Sequence, residues 1–358
     1  GPQGRTTMDK YLAIDVHLQS CTLAVVSPTG KRLQMQIVET NGLELIQRVR
    51  QIPGRKHLVI EEGTHSEWLF ETLSPYVEEM VITVPNRRAG NKSDAGDAWA
   101  LAEQLRRRAI DVRVYKPPAD YSGLRAAARA YRMLTEDVVR VKNRLKAVFR
   151  SRGMQAGSEL WNPESRKPAV DKLPQAQSTL ARLLGEELDA VTQQRETAEE
   201  WLHREGSRHP CVQHLTTAPG IGPIRAAQIT AIVVTPHRFR TKRQFWSYCG
   251  LGIVMRSSAD WVPQGKHWVR RRDVTQTRGL NRNRRPELKS VFKGAAHSVI
   301  HRMHDRPLNL EYQRMLAAGM KPDLAKLTLA RRIAATVLAM WKAQEDYDPD
   351  KHARNIRR

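Results

Sequence analysis

The stretch YLAIDVHLQSCTLAVVSPTGKRLQMQIVET, residues 11–40, decides how the chain begins to fold. It holds three short runs rich in Leu, Val, Ile and Thr (YLAIDVH, TLAVVSPTG and RLQMQIVET) with turn residues between them. Runs this short, interrupted by Ser-Pro-Thr-Gly, predict three strands in an antiparallel meander. Working outward, the pattern predicts a helix over residues 43–51 and a strand at HLVIE (57–61). A helix at SEWLFETLSPYV (66–77) and a strand MVITV (80–84), stopped by Pro85, complete the run.

A meander followed by alternating helix and strand predicts a mixed sheet with helices packed on it, the element order of ribonuclease-H-like domains. Composition bounds what such a domain serves. The chain has 358 residues and a formal net charge of +23, so its long-range field is positive and its expected partner is a polyanion, nucleic acid first. A membrane surface is the rival partner, but no run of about 18 or more apolar residues exists and the basic residues are spread along the whole chain. Cys21, Cys211 and Cys249 are too few and too far apart for a disulfide framework or a CxxC zinc site, which predicts a reduced, cytoplasmic protein. Gly1-Pro2 reads as a protease-cleavage remnant, so Met8 is the expected start and residues 1–7 are set aside.

Past residue 121 the pattern changes. Tyr131, Leu134, Val138, Val141, Leu145 and Val148 recur at spacings of three and four, with Arg and Lys between them. Leu180, Leu184, Leu188, Val191, Ala198 and Leu202 repeat the pattern less strictly. The two helices pair either within the chain as an antiparallel hairpin or between chains as a dimerising coiled coil, and sequence leaves both open. Further on, PGIGPIRAAQI has the form of a helix-hairpin-helix turn, in which Gly220 and Gly222 bring backbone N–H groups up to a phosphate. A plain Gly-Pro turn between two helices is the other reading. A basic loop, HWVRRRDVTQTRGLNRNRRPELK, carries Arg270, Arg271, Arg272, Arg278, Arg282, Arg284 and Arg285. These neutralise phosphates, while Trp261 and Trp268 offer faces to unpaired bases. A terminal helix is expected over residues 322–344.

Chemistry is expected at four carboxylates. Asp15 and Glu61 each end the apolar part of a strand, where the next position would otherwise continue the core. Asp94 and Asp97, three apart in SDAGDAWALAEQL, share one face of a helix start, where acids also suit the helix dipole. In a ribonuclease-H-like sheet the two strand ends lie side by side and a late helix brings further acids across them. Four such oxygen ligands suit a hard divalent ion, Mg2+ or Mn2+. Two ions of that kind clamp the attacking and leaving oxygens of a phosphodiester.

Together AIDVH, VIEEGTHSEWL, VPNRRAGNKSDAGDAWALAEQL, TTAPGIGPIRAAQI and FWSYCGLGIVMRSSADW, followed by TRGLNRNRRPELKSVFKGAA, resemble the DEDD transposases of the insertion-sequence one-hundred-and-ten family, relatives of the Piv DNA invertase. The resemblance runs from about Tyr11 to the last helix. It implies an α/β RuvC-like N-terminal domain (8–118) whose acids match Asp15, Glu61, Asp94 and Asp97. A helical coiled-coil linker (119–205), a mainly α-helical C-terminal domain with the helix-hairpin-helix-like motif (206–350) and a basic tail (351–358) follow. It also implies a serine nucleophile in CGLGIVMRSS, which spacing from the glycine puts at Ser258 rather than Ser257. Glu62 stays open beside Glu61, because the family's Glu-Ala-Thr-Gly stands here as Glu61-Glu62-Gly63-Thr64.

Members similar to this chain are RNA-guided recombinases of bacterial insertion sequences. The implied partners are therefore double-stranded donor and target DNA, a structured non-coding guide RNA, and further copies of the chain in a dimer or tetramer, with nucleoid association when acting. Two rivals remain: a two-metal Holliday-junction-type nuclease with no serine intermediate, and a non-catalytic nucleic-acid-binding protein.

Overall fold

The computed structural model describes residues 8–85, 94–256, 261–265, 267–270, 276–280, 284–304 and 306–350. The chain divides into two compact units, Gly1–Asp120 and Tyr121–Arg358.

In the first unit the expected meander forms β1 (Asp9–Val16), β2 (Ser20–Val26) and β3 (Arg32–Glu39), all antiparallel neighbours. Helix α1 (Gly42–Gln51), started by Asn41 Oδ1 accepting the Leu43 and Glu44 N–H groups, leads to β4 (Arg55–Glu61). Helix α2 (Ser66–Leu73), β5 (Glu79–Thr83) and α3 (Asp94–Arg106) follow. The sheet order is β3-β2-β1-β4-β5, with β4 parallel to β1 and β5 parallel to β4.

Strand alternation gives this sheet two apolar faces. Leu12, Ile14, Leu58 and Ile60 pack with Leu45 and Val49 of α1 and Leu69 and Leu73 of α2. Ala13, Val59 and Val81 form the opposite face and pack with Leu101, Ala102 and Leu105 of α3. Small residues on that face, Ala13 below and Ala98 and Ala102 above, are fully buried and let α3 lie close to the strands.

Helix α3 is anchored at its far end. Arg106 Nη1 donates to the Pro28 carbonyl at 3.0 Å, in the β2–β3 turn. That turn lies beside the start of β1, because Val26 pairs with Tyr11. Arg106 thus ties the end of α3 to the turn beside the start of β1. Its last turn is held by Glu103, whose carboxyl hydrogen bonds from Arg106 and then Arg107 pull down to about 2.

The second unit opens with α4 (Ser122–Arg150), α5 (Pro163–Val170) and α6 (Gln175–Gly206). Of the two pairings left open by sequence, the structure contains the one within the chain. Leu145, Val148 and Phe149 near the end of α4 share a cluster with Ala181 and Leu188 of early α6. Leu124, Ala127 and Ala128 at its start meet Leu202 near the end of α6. The hairpin is thus antiparallel, and Arg144 pairs with Glu187 across it at 3.6 Å.

The remaining helices are α7 (Pro210–Thr216), α8 (Pro223–Val233), α9 (Lys242–Tyr248), α10 (Pro286–Arg302), α11 (Pro307–Ala317) and α12 (Pro322–Ala343). The segment expected as a basic loop contains strands. β6 (Ile253–Arg256) pairs with β9 (Gln276–Leu280), and β7 (Trp261–Gln264) pairs with β8 (His267–Arg270). The adjacent Trp and Val in WVPQ and HWVR are residues of high strand propensity in segments too short to show a period. The helical core of this unit centres on Phe245, Phe292, Leu329 and Ile333, all fully buried, with Phe245 and Phe292 edge to face at 5.9 Å. Phe292→Ala is expected to lower stability by about 3–5 kcal/mol in urea unfolding. A loss under about 1 kcal/mol would show that Phe292 is not the centre of this core.

Candidate active site and nucleic-acid interface

Asp15 and Glu61 sit on neighbouring parallel strands. Ile14 pairs with Ile60, so the next residues, Asp15 and Glu61, stand at the same level. Both alternate into the face that carries Ala13 and Val59, the face covered by α3. Asp97 lies in the first turns of α3 and is exposed beside the buried Ala98. Asp94 opens the same helix, and its side chain lies outside the described residues. Among the described residues, no three acidic, histidine or cysteine side chains form a group that could hold a metal ion. Sheet register thus brings two of the four expected carboxylates to one level, on the face that α3 covers.

His17 Nε2 is 3.2 Å from Asp15 Oδ2 and half exposed, which orients the carboxylate. Glu61 borders a cavity of about 250 Å³ that Thr83, Leu101, Gln104 and Asp111 also line. Asp111 is a carboxylate that sequence reading passed over. Its signal was the alternating IDVRV, residues 110–114, which joins the sheet edge through Val114 N–H to the Ile82 carbonyl at 2.7 Å.

Glu62, the rival ligand, is engaged elsewhere. Its two carboxylate oxygens lie 2.9 and 2.8 Å from Lys116 Nζ, and Ser66 Oγ donates to it at 3.1 Å. The Lys116 side chain is only 9% exposed, so its ammonium depends on that carboxylate. Cysteine chemistry is disfavoured at all three thiols, because burial raises Cys21, Cys211 and Cys249 above the ordinary thiol range.

The comparisons with known proteins divide along the chain. A transposase model of the IS110 DEDD type matches residues 12–152, which include Asp15, Glu61, Asp94 and Asp97. The model of the transposase IS116/IS110/IS902 family matches residues 212–313. The chain belongs to the IS110 family of transposases. It is also similar to the y4pF/y4sB protein of Sinorhizobium fredii, described as a transposase, at 26% identity over 177 residues. That similarity covers 49% of this chain and 46% of the relative, so the chain spans under half of the relative's length in the match.

The second family match contains the expected nucleic-acid contacts of this IS110-family chain. Gly220 has φ +73°, and a Cβ there would overlap the Ala295 carbonyl, so packing of the turn onto α10 alone requires glycine. Gly222 precedes α8 with open space around it, and no side chain caps that helix. Arg270 and Arg278 lie on β8 and β9, with their side chains outside the described set. Arg271, Arg272, Arg282, Ser257 and Ser258 lie outside the described residues. Arg284 packs against Gly250, where a Cβ would overlap it, and Arg285 N–H donates to the Tyr248 carbonyl at 2.9 Å. The ribbon that follows CGLG is thus tied back to α9 where β9 returns. Trp268 on β8 is 68% exposed.

The two glutamates give a direct test. Glu62→Gln removes the counter-charge of a nearly buried lysine and is expected to cost about 1–2 kcal/mol, below the ~3–5 kcal/mol of a fully buried pair because Glu62 itself is 39% exposed. Glu61→Gln should stay within about 0.5 kcal/mol of the parent. Urea unfolding of both variants measures this, and equal losses would contradict the division of roles.

Proposed function

We propose that the chain is the DNA-cutting and strand-transferring enzyme of a bacterial insertion sequence, with its metal-dependent chemistry in a RuvC-like first unit. The observation that carries the reading is the Ile14–Ile60 register, which sets two carboxylates level on the face covered by α3, inside a DEDD transposase match. The donor set fits a hard ion: carboxylate oxygens, with no thiolate competing. Asp15 and Glu61, completed by Asp94 and Asp97, would hold Mg2+ or Mn2+. Such an ion, when bound, polarises the phosphodiester and stabilises charge on its oxygens.

The chain's own groups then have separate tasks. Asp15 and Glu61 fix the donor face, and His17 orients Asp15. Glu62 is kept from that face by Lys116 and Ser66, which supports Glu61 as the ligand. Ser258 is assigned as the nucleophile: its hydroxyl oxygen attacks a DNA phosphorus and loses its proton, and the strand's 3′ or 5′ oxygen leaves. A free serine hydroxyl is weakly nucleophilic and needs a base, metal or concentrated positive charge beside it. With the carboxylates in one unit and the serine in the other, cutting would wait until both engage the same DNA. Arg270, Arg271, Arg272, Arg278, Arg282, Arg284 and Arg285 are assigned to nucleic-acid phosphates, with a structured guide RNA and donor and target duplexes as ligands. A dimer or tetramer is the proposed working form.

Asp15→Asn and Glu61→Gln are expected to reduce Mg2+-dependent strand cleavage by more than the roughly 10–100-fold that loss of an outer partner costs a metal site. Their melting temperatures should stay near the parent's. Ser258→Ala should abolish a covalent protein–DNA adduct, with Ser257→Ala nearly silent. Cleavage at the parent rate by the two acid variants would refute the metal site. Normal cutting by Ser258→Ala with no adduct in any form would instead favour the plain two-metal nuclease.

A further inference from the structure

The second unit contains a cavity of about 460 Å³ beside the α7–α8 turn, within the ~300–1,000 Å³ range of ligand sites. The turn backbone from Thr216 to Gly222 forms one wall, and Arg225, Ser298, Arg302 and Arg306 form much of the rest. Among the described residues, no aspartate or glutamate is part of its lining. We propose that this cavity grips phosphodiester groups of a nucleic-acid backbone, with Arg225, Arg302 and Arg306 as its anion-binding residues. The proposal rests on the nucleic-acid function argued above and adds a site in which the arginines of the ribbon segment have no part.

The argument turns on where these arginines stand. Other arginines of the same unit have carboxylates beside them: Arg166 pairs with Asp189, and Arg208 with Glu205 at 3.0 Å. Among the described residues, Arg225, Arg302 and Arg306 form no such pair. Arg225 spends Nη1 on the Gly220 carbonyl at 2.7 Å and on Ser298 Oγ at 3.0 Å, both neutral acceptors. Burial and the neighbouring Arg302 push the Arg225 guanidinium below its ordinary value, so the strongest nearby charge repels it.

Helix electrostatics make the placement costly as well. Arg225 lies in the first turn of α8, and Arg306 is the residue that starts α11. Helix N-termini favour anions, and neither helix has an acid in its first turn. Arg302 lies in the last turn of α10, a favourable place for a cation. That end has another partner, however: Asn309 Nδ2 donates to the Val299 and Ile300 carbonyls at 2.8 and 3.1 Å. Three cations from three helices thus meet around one opening, and among the described residues none of them has a carboxylate ion-pair partner; a dianionic or polyanionic ligand would supply that charge.

The backbone adds donors of the right kind. Helix α8 begins with Pro223, has no side-chain cap and opens at Gly222, around which a phosphate oxygen has space to approach. The positive field continues past the cavity. His297, one residue before Ser298, is held below the ordinary imidazole range by partial desolvation, then by His301, Lys326, Arg302 and Arg225. A backbone leaving the cavity along α10 would meet Lys293 and Lys289, spaced four residues apart at roughly 6 Å of helix rise.

Arg302 and Arg306 are exposed, so Arg302→Gln/Arg306→Gln removes charge without opening the core. The test is fluorescence anisotropy of the full chain with a DNA duplex and, separately, an RNA stem-loop, each across a salt series. Arg129→Gln/Arg204→Gln, which removes two exposed arginines of the α4–α6 hairpin, controls for net charge. The proposal expects the log–log salt slope of the cavity variant to fall by roughly 1.5–2 with at least one ligand, while the control changes it by less than about 0.5. The arm with the larger fall identifies DNA or RNA as the source of the phosphates. An unchanged slope in the cavity variant, or an equal fall in the control, overturns the cavity and leaves the nucleic-acid function standing. A parent chain that binds neither ligand overturns both.

Discussion

The parallel pairing of β1 with β4 is the constraint on which the candidate active site depends. Six residue pairs, from Asp9–Arg55 to Ile14–Ile60, hold the two strands in one register. A slip of one residue would turn Glu61 from the α3 side of the sheet to the α1–α2 side and leave Asp15 alone. The slip is opposed by both cores at once, since Leu58 and Ile60 are fully buried on one face and Val59 on the other. The same alternation sets small residues under α3, and Arg106 bound to the Pro28 carbonyl anchors the end of that helix. Burial of ordinary aliphatic side chains, with one arginine at a turn, is therefore what positions the acids.

Much of the first unit was legible because its strands are short, apolar and separated by strong turn residues. Periodicity also marked the α4 and α6 helices, but a seam of Leu and Val does not say whether its partner lies in the same chain. In the structure the short 155–174 segment brings the chain back: Leu160, Val170 and Leu173 share a cluster with residues of both helices. Glu61 and Glu62 were indistinguishable in sequence because their difference lies in partners remote along the chain, Lys116 above all. β8 and β9 fall in the segment read as a basic loop, because four- and five-residue strands among many arginines show no clear period. Arg225, Arg302 and Arg306 carried no local signal at all, since three helices must pack before they meet.

Charge in this protein has two distinct states. Some arginines are spent on structure, as Arg106 and Arg107 are on Glu103 and Arg166 is on Asp189. Others, around the α7–α8 turn, have no carboxylate ion-pair partner among the described residues. A net charge of +23 predicts a polyanionic partner without saying where it touches. The proposed contact is the place where such arginines from several helices converge on one cavity.

The most direct measurement replaces the proposed ion with Fe2+ and maps backbone cleavage by the hydroxyl radicals it generates with ascorbate and peroxide. Cuts fall close to the bound metal, so the account predicts them near Asp15, near Glu61 and at the start of α3. They should be lost in Asp15→Asn and suppressed by excess Mg2+. Cuts confined to other segments, or cuts unchanged in that variant, would contradict a metal site at the C-terminal ends of β1 and β4.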